Sequence, residues 1–184
     1  ITNERLVEAI KKNDAVSADA VLVSGRRKLV EILSLLENLL ESDSAEIRTA
    51  AAAAIIEIDG DSSDRAVEIL DGALQSSDAL TQSNALRRLE NNEKILPDSK
   101  LEAFLKEENI LASNAALLVA EKRKKDTLIP AIILNLGNSK TFLQARQALK
   151  SFDENVVLEH FTNILSSSDL SRNVRRGIVK ALKD

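Results

Sequence analysis

Apolar positions recur at three- and four-residue intervals along nearly the whole chain, and the two-residue alternation of a half-buried strand is hard to find. Leu29, Ile32, Leu33, Leu36, Leu39 and Leu40 form one apolar stripe; Ala66, Val67, Ile69, Leu70 and Leu74 form a second; Val156, Val157, Phe161, Ile164 and Leu165 form a third. Helix-start chemistry precedes such stripes at Ser63-Asp64, Ser77-Asp78, Asp98-Ser99, Ser139 and Ser168-Asp169, whose side chains can accept the free N–H groups of a first turn. Pro97 belongs to a turn before Asp98, and Pro130 falls about one turn into its helix, where a missing N–H costs least. The pattern predicts about twelve helices, over 3–12, 15–24, 27–41, 45–58, 63–75, 79–90, 99–107, 110–123, 127–136, 140–151, 154–166 and 170–182. Such short helices are marginal alone, and their short links favour antiparallel neighbours, so the natural unit is the helical hairpin.

The hairpins repeat. In the second helix of each pair an aliphatic residue is followed five positions later by a small or aliphatic one: Val16/Val21, Ile47/Ala52, Leu80/Ala85, Leu111/Ala116, Leu143/Ala148 and Val174/Val179. Successive anchors lie 31, 33, 31, 32 and 31 residues apart. A period in the thirties running through the whole chain is the mark of stacked two-helix units.

The stretch Ile47-Arg48-Thr49-Ala50-Ala51-Ala52-Ala53-Ala54-Ile55-Ile56-Glu57-Ile58-Asp59-Gly60-Asp61 resembles the second helix of a short HEAT repeat, the type found in phycobilisome lyase-like proteins, and Val174-Arg175-Arg176-Gly177-Ile178-Val179 follows its opening again. In the other copies Thr81, Ala112 and Gln144 occupy the Arg slot. The resemblance implies an all-α fold, a single right-handed α-solenoid (armadillo-like in the broad sense) of about six stacked two-helix HEAT-like repeats over 1–184, with first helices convex and second helices concave. Small side chains at Ala51, Ala52 and Ala54 would let helices approach closely; the four Phe, all after residue 100, predict a bulkier core in the second half. The chain opens on Ile1 and holds no Met, which reads as a trimmed chain or a fragment of a larger protein.

Composition narrows the chemistry. No Cys excludes disulfides and thiolate metal sites, and one His with no Tyr, Trp or Met leaves few groups for acid–base work. The five glycines stand far apart, so no phosphate-binding glycine loop exists. Hydrophobic content of 44% beside 29% charge fits a folded chain, and no run approaches the roughly 18 apolar residues of a membrane span. HEAT-like deoxyhypusine hydroxylases hold two irons with repeated His-Glu pairs; here Glu159-His160 is reversed and single, so no iron, other metal or cofactor is expected. Asp59, Asp61 and Asp64 around Gly60 have a hard-cation composition, yet lack the spacing of an EF-hand, and helix capping accounts for them better.

By the same resemblance, Arg48 and Arg175 would bond to turn carboxylates, with Asp43 and Asp169 as suitable partners. Ten residues after each anchor stand Glu57, Glu90, Glu121, Asp153 and Asp184, with Arg26 in the first repeat. Acid at a helix C-terminus opposes the macrodipole, which leaves capping of the next hairpin or an acidic row for a basic partner. Residues 1–92 carry 10 Lys and Arg against 17 Asp and Glu, and residues 93–184 carry 15 against 12, with the basic excess at Lys122-Arg123-Lys124-Lys125 and at Arg172, Arg175, Arg176, Lys180 and Lys183. HEAT-like DNA glycosylases bind DNA on a basic surface, but the absence of Trp and Tyr removes base-stacking platforms and disfavours nucleic acid here. The expectation is a non-catalytic protein–protein interaction scaffold that presents a long surface to a protein or peptide. Alternatives are an anion or nucleic-acid binder using the basic half, and a lyase-like chaperone or enzyme. By family alignment the contact row is Thr49, Ala53, Gln82, Leu86, Ser113, Leu117, Arg146, Lys150, Arg176 and Lys180, with Leu86 and Leu117 as an outward apolar centre.

Overall fold

The computed structural model describes residues 2–12, 15–60 and 63–183. Among them the fold is all-α, with twelve α-helices and no strand: α1 (Asn3–Lys11), α2 (Ala15–Arg26), α3 (Leu33–Leu39), α4 (Ala45–Asp59), α5 (Asp64–Leu74), α6 (Ala79–Arg88), α7 (Asp98–Leu105), α8 (Ile110–Arg123), α9 (Ile129–Asn135), α10 (Phe142–Leu149), α11 (Glu154–Leu165) and α12 (Arg172–Ala181). The helix expected over 27–41 is broken, because Lys28 takes a left-handed conformation (φ 54°) and a single 3₁₀ turn at 30–32 precedes α3. A second 3₁₀ turn at 126–128 leads into α9, which places Pro130 in its first turn.

Capping follows the side chains in part. Ser63 accepts the Ala66 N–H at 3.3 Å, and Asp78 accepts the Thr81 N–H at 2.8 Å and its hydroxyl at 2.6 Å, bonds that hold the Asp78 carboxyl below its usual value. Ser44, Asn109 and Asp153 cap α4, α8 and α11 in the same way. At the other expected starts the cap lies elsewhere. Pro97 precedes α7, Thr141 precedes α10 without capping it, and Ser171, three residues beyond Ser168, accepts the Val174 N–H of α12. A cap must reach an N–H two or three residues ahead, and Ser168 sits too early to do so.

The chain's contacts cluster into two compact units, Ile1–Arg88 and Leu89–Asp184. In the first, α1 packs with α2, α3 with α4 and α5 with α6, while α2 packs on α4 and α4 on α6. Enclosed on all these sides, α4 buries Ile47 and every residue from Thr49 to Ile56. Its alanines set the spacing: a Cβ added at Gly25 of α2 would fall 2.7 Å from the Ala54 Cα. At the end of α4, Gly60 adopts φ 71° and ψ −153°, a conformation open essentially to glycine alone. In the second unit α7 packs with α8 and α9 with α10, α8 lies on α10 and α7 on α9, and α11 and α12 both rest on α9. Phe104, Phe142 and Phe161 are buried there, the bulkier filling expected of this half.

The helix α12 reaches α9 through glycine. A Cβ at Gly177 would lie 2.2 Å from the Leu136 carbonyl oxygen, and one at Gly137 would lie 2.6 Å from Val174 Cγ2. Gly72, exposed in α5, has open space around it. Gly72→Ala should therefore stabilise the chain by about 0.5–1 kcal/mol through helix propensity. Gly177→Ala should destabilise it by about 1–3 kcal/mol, because the clash is with backbone and outweighs that gain. Urea unfolding of the two variants beside the parent checks both signs.

Candidate functional site

In the second unit the second helices are not uniformly packed. Direct packing joins α8 and α10, whereas the main partner of α12 is α9, which it meets through the buried face Val174, Gly177 and Ile178. The opposite face of α12 carries Arg172, Arg176 and Lys180 at four-residue spacing, and Lys183 follows in the turn past its end. On α10, Phe142, Ala145, Ala148 and Leu149 turn inward, while Leu143 and Lys150 face outward and Arg146 is half-buried. Two depressions open beside α10, the larger against α12 and the smaller against α11 and the end of α12. One, of about 420 Å³, is lined by Leu136, Gly137, Phe142, Leu143, Asn173, Arg176 and Lys180 among others. The other, of about 340 Å³, is lined by Arg146, Leu149, Lys150, Val157, Phe161 and Leu182, with Glu154 as its one carboxylate. The Lys180 ammonium stands 4.4 Å from the centroid of the Phe142 ring, a cation–π contact worth about 0.5–1 kcal/mol at an exposed site.

The structure divides the expected contact row in two. Arg176 and Lys180 line the larger of these depressions, and Arg146 and Lys150 the smaller. The other six positions are interior. Leu86 and Leu117, expected to lean outward, are 0% exposed, which corrects that expectation. Each follows the buried alanine of its repeat by one residue, a rotation of about 100° that keeps it within the apolar arc of a helix covered on two sides. Ala53 lies in the core of α4. The three polar members serve the interior as well. Thr49 donates to the Ala45 carbonyl at 2.7 Å and accepts from Arg88, Gln82 donates to the Leu74 carbonyl at 3.1 Å, and Ser113 donates to Asn135 Oδ1 at 2.9 Å. Burial pushes the Arg88 guanidinium down from its usual value, while Glu46 and Asp19 pull it up.

Asn135 is the centre of a buried network that the sequence reading missed. Its amide donates to the Leu105 and Ala131 carbonyls at 2.7 and 3.1 Å, and its own carbonyl accepts the Thr141 hydroxyl at 2.8 Å. A lone polar residue in the apolar run of α9 was the available signal. Leu143, at 70% exposure, was also missed as a surface residue. It is an anchor of the expected repeat, as are Leu80 and Leu111, which are 61% and 51% exposed. The residue five positions later is buried at Val21, Ala52, Ala85, Ala116 and Ala148, though the anchor Ile47 is buried too, and in the last pair Val174 is buried and Val179 exposed.

The other candidates resolve into structural roles. Arg48 donates to the Ser42 and Asp43 carbonyls, and Arg175 to the Leu165, Ser167 and Leu170 carbonyls. The guanidinium thus closes its own hairpin loop through backbone oxygens, where Asp43 and Asp169 carboxylates had been expected. Within the basic run, Arg123 is 4% exposed and donates to the Leu89, Glu90, Asn92 and Leu96 carbonyls, with Asp98 at 3.3 Å. Lys122 pairs with Glu90, Lys125 pairs with Glu93 at 3.1 Å, and Lys124 ends α8 in a left-handed conformation. The acidic series is likewise absorbed locally. Glu121 accepts from Gln144 and Gln147, and Asp153 caps α11. Asp61 and Asp184 lie outside the described residues; Asp64 opens α5, and His160 is half-buried on α11. Among the described residues no group of three or more His, Cys, Asp or Glu could hold a metal ion, and no helix is long and apolar enough to cross a membrane.

Compared with known protein families and with curated proteins, the chain matches none.

Removing the Arg123 clamp strands four backbone carbonyls and a carboxylate, so Arg123→Met should cost about 2–4 kcal/mol. Lys124→Gln, which leaves every one of these bonds in place, should fall within about 0.5 kcal/mol of the parent. Guanidinium unfolding of the two variants makes the comparison.

Proposed function

We propose that this chain is a non-catalytic interaction scaffold: a right-handed α-solenoid of about six short HEAT-like hairpins, with first helices on the convex side and second helices presented to a protein or peptide partner. The spacing of 31–33 residues between corresponding positions supports the repeat reading. So does the order of packing inside each unit, where the helices of the first five hairpins pair with one another and α2, α4 and α6, or α8 and α10, lie side by side, while α11 and α12 both pack on α9. The observation that carries the binding reading is the open recess between α10 and α12, where an exposed leucine, a buried phenylalanine, Arg176 and Lys180 share one surface, with Arg146 and Lys150 on a second depression along α10. Apolar floor with a charged rim is the composition of a protein interface, whose core is depleted in charge and whose rim is polar. A stable partner would cover about 800 Å² of this chain, more than the recess alone offers, so neighbouring second helices contribute too.

The test is photo-crosslinking from defined positions of the full chain. A photoreactive residue at Leu143 on α10 should capture a discrete partner from native extract, and one at the exposed Glu159 on the first helix of the last hairpin should not. Equal labelling from the two positions, or none from Leu143, would remove the scaffold reading.

A further inference from the structure

Where α8 and α10 pack side to side, the corresponding place between α10 and α12 is held open by the docking of α12 onto α9. We propose that this recess seats the apolar face of an acidic amphipathic helix from a partner protein; the inference rests on the scaffold reading and names its partner class. The depressions, of about 420 and 340 Å³, have room for apolar side chains rather than for a whole helix, so the partner lies over the recess and inserts its leucine- or phenylalanine-sized groups. Leu143, 70% exposed, is the apolar contact nearest solvent.

Charge selects the sign of the partner. Arg146 and Lys150 on α10 are four residues apart, and so are Arg176 and Lys180 on α12, a rise of about 6 Å along each helix. Carboxylates one turn apart on a partner helix match the Arg176 and Lys180 wall. Among the described residues Lys150, Arg176 and Lys180 have no ion-pair partner, and Lys180 lies over the Phe142 ring. From residue 142 to residue 183 the chain carries seven cationic side chains against four anionic ones. Glu154, at the α11 side of the smaller depression, repels acid there and directs the partner's carboxylates toward Arg176 and Lys180.

The other polyanions fit less well. A nucleic-acid backbone would satisfy the cations and leave Leu143 in water, and the one ring near them, Phe142, is buried with a lysine over its face. A bilayer surface would meet the rim cations without reaching the sunken floor.

The probe is a helix-forming peptide of about 18 residues, long enough to hold helical structure, with Leu at i, i+3, i+4 and i+7 and Glu flanking them. It is titrated into the full chain and followed by fluorescence anisotropy. Replacing its Glu by Gln should weaken binding at least tenfold, and rising salt should weaken the Glu peptide more than the Gln peptide. Leu143→Asp and the charge reversal Arg176→Glu/Lys180→Glu should each weaken binding at least tenfold, with helical circular dichroism unchanged; both changes are on exposed positions. Absent binding, equal affinity of the Glu and Gln peptides, or full affinity of both variants overturns the proposal. So does displacement of the peptide at equal charge concentration by duplex DNA or by phosphatidylglycerol vesicles. If the peptide fails while Leu143 still crosslinks a discrete partner, the scaffold reading stands and the acidic-helix assignment falls.

Discussion

Helices of seven to fifteen residues hold their shape only by being pressed against one another, and in this chain the pressing is done where side chains are nearly absent. Gly25 rests on Ala54, Gly177 on the Leu136 carbonyl and Gly137 against Val174. Interiors are packed as densely as organic crystals, so spacing set by a hydrogen atom has no slack for a methyl group. Larger residues then fill what the close crossings leave: Leu36, Leu70 and Leu74 in the first unit, Leu101, Leu128 and Ile132 in the second. The Ala50–Ala54 run of α4 buys this closeness on several sides at once, which is why Ile47 and Thr49, at the edge of an amphipathic face by sequence, are covered.

Close packing of short helices multiplies helix ends, and each end leaves backbone groups without partners. The chain meets the acceptor half of that problem with arginine. Arg48, Arg175 and Arg123 all reach the carbonyl oxygens of a connecting loop, Arg123 with the Asp98 carboxylate besides, and the planar guanidinium bonds several acceptors at once. The donor half is met by Ser44, Ser63, Asn109, Asp153 and Ser171. Charge that looks like a binding patch in one dimension is therefore spent on the connections, and the surplus that remains is on the outward face of α12, with Lys150 on the smaller depression.

The helices and their order were legible in the sequence because apolar spacing is local: all twelve segments recur within a few residues of their expected ends, save where Lys28 breaks the stretch before α3. Which positions face outward was less legible. A residue's exposure depends on how many sides of its helix are covered, and α4, α6 and α8 are covered on at least two, so Leu86 and Leu117 became core. Alignment to a repeat pattern treats every copy alike, whereas α12 turns Ile178 inward and Val179 outward. Arg146, Lys150, Arg176 and Lys180 reach the surface, as charged side chains seldom enter a core unpaired. The apolar floor beside Arg176 and Lys180 was not legible, since it arises from the docking of α12 on α9.

The Asn135 cluster has a consequence for inheritance. Both amide hydrogens and the side-chain oxygen are engaged, and Ser113 and Thr141 hang from the same residue. Losing the Asn135 side chain strands the Ser113 hydroxyl and the Leu105 carbonyl inside an apolar setting, and losing Ser113 leaves Asn135 Oδ1 without its donor, whereas Thr141, bonded to the Asn135 backbone carbonyl, keeps its partner whatever side chain stands at 135. Ser113 and Asn135 therefore behave as one heritable character, kept or abandoned together, to which Thr141 is not tied.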